Sequence, residues 1–190
     1  NHKGMQGEEL LDENASKEAE AIWESARDAA IYYAKKLDEL GVSKQNVNRI
    51  IENYCYVSYL VTATEWNNFL IQRDDFHARR VKEALKKSFP TELKLYEWHL
   101  PFIRNDLQSL PIYDKIRISA ARCARTSYGR NEGRDIEADF QLYNTLVHST
   151  PPHLSPVEHQ LMELMSSGVS KSGNIEGFLQ YRKLVEHFNF

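Results

Sequence analysis

Residues 15–40 place apolar side chains at Ala19, Ile22, Trp23, Ala26, Ala30, Tyr33, Leu37 and Leu40. Steps of three and four put them on one face of a long amphipathic helix. Gly41 follows as a natural C-cap, and Ser43 is positioned to cap a second helix through Ile51. The pattern then changes. Residues 54–63 are dense in Tyr, Val and Thr and predict a strand. Short helices are expected over 65–72 and 77–87, the second ended by Phe89-Pro90. Residues 91–115, interrupted at Pro101 and Pro111, read as an ordered loop, and 116–121 as a short strand or the start of a helix. Helices are expected over 136–147, 155–165 and 175–187, with a Gly/Ser loop over 166–174. The pattern predicts one α+β domain spanning 1–190, mostly helical with a small antiparallel sheet.

Composition narrows the function classes. The chain has 190 residues, 42% hydrophobic and 27% charged, with a formal net charge of −3. Nothing in that balance creates a general basic field, so no nucleic-acid partner is expected. No apolar run reaches transmembrane length, so no membrane partner is expected either. The N-terminus is polar and unlike a signal peptide. Cys55 and Cys123 lie in apolar, strand-like runs without CxxC spacing. They read as reduced, buried thiols of a cytoplasmic protein.

Candidate chemistry sits in three clusters. In HLSPVEH (153–159), Ser155 and Glu158 have the spacing of a capping box, with Pro156 at the first helical position. That reading is structurally sufficient, yet a helix start also offers free amides and a positive dipole end to an anion. His148, His153 and His159 cluster in sequence and leave a metal-dependent hydrolase open as an alternative. No i, i+4 histidine pair or zinc-ribbon spacing is present, which argues against a metal. In ISAARCARTSY (118–128), Arg122 and Arg125 share a face if helical and diverge if extended. They suit either a phosphate grip or salt bridges to Glu132, Asp135 and Glu137. In the third cluster, Asn68 and Gln72 lie one helical turn apart with His77 beyond. Their amides can read a flavin or pyrimidine edge, or form a plain polar face. Basic residues 79–87 read as a solvated helix face.

TATEWNNFLIQRDDFHAR (62–79), SAARCARTSY (119–128) and HLSPVEH resemble three blocks of the flavin-dependent thymidylate synthases. RDIEADFQLYNTLV resembles the helix linking two of them. Their order here, with KGMQ near the front, YEWHLPFI in the middle and SGNIEGFLQYRKL at the end, is similar to the rearranged phage-type branch. The resemblance implies a thymidylate-synthase-complementing-protein-like fold and a homotetramer with sites between subunits. It implies FAD, NADPH and methylenetetrahydrofolate acting on dUMP to give dTMP or a related modified pyrimidine nucleotide, with no protein nucleophile. Transferred by position, Arg73 and Arg49 would hold the nucleotide, and Asn68, His77, Ser127, His153, Ser155 and Glu158 would line the flavin site. The family's arginine-histidine-arginine motif is not among these residues. In the phage-type order it belongs before KGMQ, so it is expected upstream of residue 1 or lost. Gln180 and Arg182 are a partial echo of it. A non-catalytic nucleotide-binding or structural member of the same fold is the alternative.

Overall fold

The computed structural model describes residues 11–72, 75–89, 97–128, 135–164 and 171–189. These fall into two compact units, one of residues 11–57 with 75–77, the other of the remainder.

The first unit is built on α1 (Glu13–Glu39) and α2 (Lys44–Ile51). Asp12 caps α1 by accepting from the Ala15 amide at 2.8 Å. The helix ends where Gly41 takes φ +78 and the Val42 amide returns to the Leu37 carbonyl. The two helices pack together, with Ala34 and Val47 buried. The expected helix boundaries hold to within two residues, but Ser43, though at the N-cap position of α2, makes no side-chain cap bond. The expected strand over 54–63 does not form. Glu52–Tyr54 is a 3-10 turn and residues 55–63 carry neither helix nor strand. Tyr56 is fully exposed. High β propensity has no effect without a partner edge.

The second unit contains α3 (Trp66–Gln72), most of α4 (Phe76–Ser88), α5 (Ile112–Ala124), α6 (Ile136–Val147) and α7 (Tyr181–Asn189). Its core joins Ala120, Tyr143, Val147, Leu154, Val157 and Val185. Between these helices run β1 (Trp98–His99), β2 (Leu161–Glu163), β3 (Lys171–Ser172), β4 (Ile175–Glu176) and β5 (Phe178–Gln180). Three strands form an antiparallel sheet in the order β1-β2-β5, with Trp98 opposite Met162 and Leu161 opposite Gln180. β3 and β4 form a separate hairpin, turned by Gly173 at φ +60. The molecule is thus α+β, mostly helical with a small antiparallel sheet. Three expectations change here. α5 starts at Ile112, inside the expected loop. The segment after Ser155 is a four-residue 3-10 turn leading into β2 rather than a helix. The last helix starts at Tyr181, after β4 and β5.

Candidate functional site

The HLSPVEH segment is anchored from below. The His153 amide donates to the Leu146 carbonyl at 2.8 Å, and Leu154 and Val157 are buried in the core. Leu154 rather than Ser155 occupies the cap position of the 3-10 turn Ser155–Glu158, and no side chain caps it. The capping box is therefore not formed. A turn this short also lacks the aligned dipole that would hold an anion.

Glu158 instead faces α7. Its carboxylate accepts from the Arg182 guanidinium, and its backbone carbonyl accepts from Gln180 Nε2 at 3.0 Å. Arg182 also donates from Nε to Glu186 at 2.6 Å, and Glu186 accepts from Lys183 at 3.0 Å. Arg182 and Lys183 together hold the Glu186 carboxyl below its ordinary pKa. Glu186 and Glu158 raise that of Arg182 further. Both walls meet in an open cleft of about 510 Å³ lined by Pro152, His153, Leu154, Ser155, Arg182 and Glu186. His153 and Ser155 are exposed to it.

Behind this cleft, His159 Nδ1 lies 3.1 Å from the Thr62 hydroxyl. Desolvation lowers the His159 pKa, Glu158 opposes that shift and the positive form of His99 adds to it. His99 is lowered by desolvation as well. Thr64 ties the same segment to the hairpin, receiving the Glu176 amide on its hydroxyl at 2.8 Å.

Arg122 and Arg125 share a helical face on α5, and that face is turned inward. Arg122 Nε donates to Asp139 Oδ2 at 3.0 Å, and Arg125 Nη1 donates to Asp139 Oδ1. A further donor of each reaches a backbone carbonyl, Arg122 that of Phe102 and Arg125 that of Ala138, each at 3.0 Å. Asp139 is completely buried. The pair is neither a ligand grip nor a surface face; it is a buried network whose acceptor is Asp139. That residue carried a legible signal. Asp139, Tyr143 and Val147 form one i, i+4, i+8 stripe of α6. A carboxylate on an otherwise apolar stripe requires a buried partner.

Of the transferred site residues, His153, Ser155 and Glu158 come together beside Arg182. Ser127 is exposed in the 3-10 turn Thr126–Tyr128, and Asn68 is half-buried on α3; neither lines this cleft. Arg49 on α2 and His77 in α4 are exposed and belong to the first unit. Arg73 lies outside the described residues. The three histidines of the metal alternative are not gathered. His148 packs edge-on to Tyr143, His153 lines the cleft and His159 pairs with Thr62. Among the described residues no three His, Cys, Asp or Glu side chains are grouped to hold a metal. No helix among them is long and apolar enough to cross a membrane. The thiol expectation holds for Cys123, which is buried, and fails for Cys55, which is exposed. No protein-family model matches the chain, and neither a curated protein nor a solved structure matches it.

Proposed function

We propose that this chain is a flavin-dependent thymidylate synthase of the phage-type branch, with a thymidylate-synthase-complementing-protein-like fold. It would act in the cytoplasm as a homotetramer on dUMP or a related pyrimidine nucleotide. One observation carries the reading: three sequence blocks and two linking phrases resemble that family in the rearranged order. The cleft supports it, since His153 and Ser155 line it and the neighbouring Glu158 is fixed by Arg182.

The cleft's residues fit a flavin nucleotide in kind. They offer a hydroxyl, an imidazole and a guanidinium, which suit a group carrying both phosphates and ring amides. Its volume of about 510 Å³ holds part of such a molecule. His153 and Ser155 would contact the flavin, and Glu158 would keep a fixed acceptor beside them. When bound, FAD would pass hydride from NADPH to the carbon that methylenetetrahydrofolate donates. The protein's own share is orientation and charge placement. Cys123 is buried, and that burial pushes its thiol up to about 12, which disfavours the thiolate a nucleophile needs.

The purified protein is expected to bind FAD, seen as flavin absorbance. It is also expected to release tritium from dUMP labelled at the uracil 5-position in the presence of NADPH and methylenetetrahydrofolate. Protein that stays colourless with excess FAD sinks the reading. Flavin binding without tritium release favours the non-catalytic member.

A further inference from the structure

A second cleft lies in the same unit, away from the residues transferred above. It measures about 400 Å³ and is lined by Glu97, Trp98, His99, Leu100, Ile103, Asn105, Gln108, Ile112 and Lys115. One wall is β1, the second is the turn from Leu100 through the 3-10 turn Asn105–Leu107, and the third is the first turn of α5.

The middle wall is held by buried polar groups. Phe102 has φ +63, a conformation that costs a bulky residue about 1–3 kcal/mol and persists only where the surroundings impose it. Here the surroundings are buried side chains of α5. Arg122 Nη1 donates to the Phe102 carbonyl at 3.0 Å, and Ser119 Oγ donates to the Pro101 carbonyl at 2.8 Å. Ser119 is completely buried and Arg122 nearly so. Arg122 is fixed in turn by Asp139. The turn carrying Leu100 and Ile103 is therefore set before any ligand arrives.

The lining chemistry is specific. Trp98 offers a half-buried ring, oriented by an edge contact to Tyr181 at 6.4 Å. Leu100, Ile103 and Ile112 complete an apolar floor. Asn105 and Gln108 supply amides that both donate and accept. Lys115 is one step of i, i+3 from Ile112 on α5. It uses one donor on the Gln108 carbonyl at 3.3 Å, leaving two. His99 adds its ring nitrogens to the lining, and desolvation lowers its pKa. Glu97, exposed at the rim, offers carboxylate oxygens as acceptors.

From this cleft we infer a second small-molecule site, one that takes a flat nitrogen heterocycle carrying a single anionic group. The ring stacks on Trp98, Asn105 and Gln108 read its edge, and Lys115 pairs with the anion. The anion can be a phosphate or a carboxylate, and the site stands independently of the flavin reading.

Isothermal titration of the full-length protein with AMP, UMP, orotate, nicotinate and benzoate tests it. At least one heterocycle is expected to saturate with Kd below about 1 mM. Preference for AMP and UMP over orotate and nicotinate identifies phosphate as the anion, and the reverse identifies carboxylate. Benzoate, lacking ring nitrogens, is expected to bind at least about tenfold more weakly. Lys115→Met at a half-buried position and Gln108→Ala at an exposed one should each weaken binding about tenfold, while Ser155→Ala in the other cleft changes it less than about twofold. The inference is overturned if no heterocycle saturates, if benzoate binds equally well, or if Ser155→Ala abolishes binding that Lys115→Met leaves intact.

Discussion

At the scale of single residues, burial separates groups that the sequence presents alike. Cys55 and Cys123 look equivalent in their apolar runs, but one is exposed and the other sits on α5 with its thiol pushed up to about 12. Native protein should show one thiol reacting promptly with Ellman's reagent and a second appearing only on denaturation. Two prompt thiols would contradict the burial of Cys123. Asp139 is the sharper case. Removing it leaves two guanidinium groups desolvated and uncompensated, and a buried ion pair broken on one side costs about 3–5 kcal/mol. Asp139→Ala should therefore lower the urea midpoint severely, while Asp135→Ala loses only a helix cap. The sequence made Arg122 and Arg125 stand out, and their helical spacing was legible. The stripe of α6 marked Asp139 as needing a buried partner, but not that the partner was this arginine pair, because pairing across 14 to 17 residues depends on how α5 meets α6.

At the scale of elements, helices with caps and long stripes were readable, and segments dependent on partners were not. α1, α2 and α6 follow their sequence pattern because their turns are local. The run over 54–63 has strand composition but no edge to pair with. β1 hides in a proline-rich stretch because a two-residue strand has almost no periodicity of its own. The SPVE segment illustrates the same limit, since Glu158 is drawn off to Arg182 rather than back to its own turn. These two kinds of helix start should differ on mutation. Asp135 accepts from the Glu137 amide at 3.2 Å and caps α6, so Asp135→Ala should cost about 1 kcal/mol. Ser155→Ala should stay within about 0.5 kcal/mol. Thermal or chemical denaturation of the pair decides it, and equal losses would restore Ser155 as a cap.

At the scale of the whole molecule, the candidate site was legible in part. His153, Ser155 and Glu158 came together, whereas Arg182 reaches them from α7, a pairing across 24 residues that no local pattern announces. The histidines also set a pH dependence. Both His99 and His159 are lowered, chiefly by desolvation, so the unfolded chain binds protons more readily than the folded one. Their contribution is fully present above the ordinary histidine pKa of about 6.5 and is lost as pH falls below it toward the folded values. Urea midpoints should fall between pH 7.5 and 5.5, and His159→Asn should flatten that fall. An unchanged slope in the variant would remove His159 from the account.

One geometric detail links distant parts of the second unit. Arg122 bridges Asp139 on α6 to the left-handed turn at Phe102, as one rigid fork with a foot on each. A perturbation of Asp139 is then transmitted to a surface it never touches. Asp139→Asn keeps the shape of the acid but weakens its hold on Arg122. In protein still folded by circular dichroism, it should release the Phe102 turn, raising amide hydrogen exchange over residues 100–103. The 3-10 turn Glu52–Tyr54, in the first unit and without a bond to Asp139, offers an internal reference for that measurement.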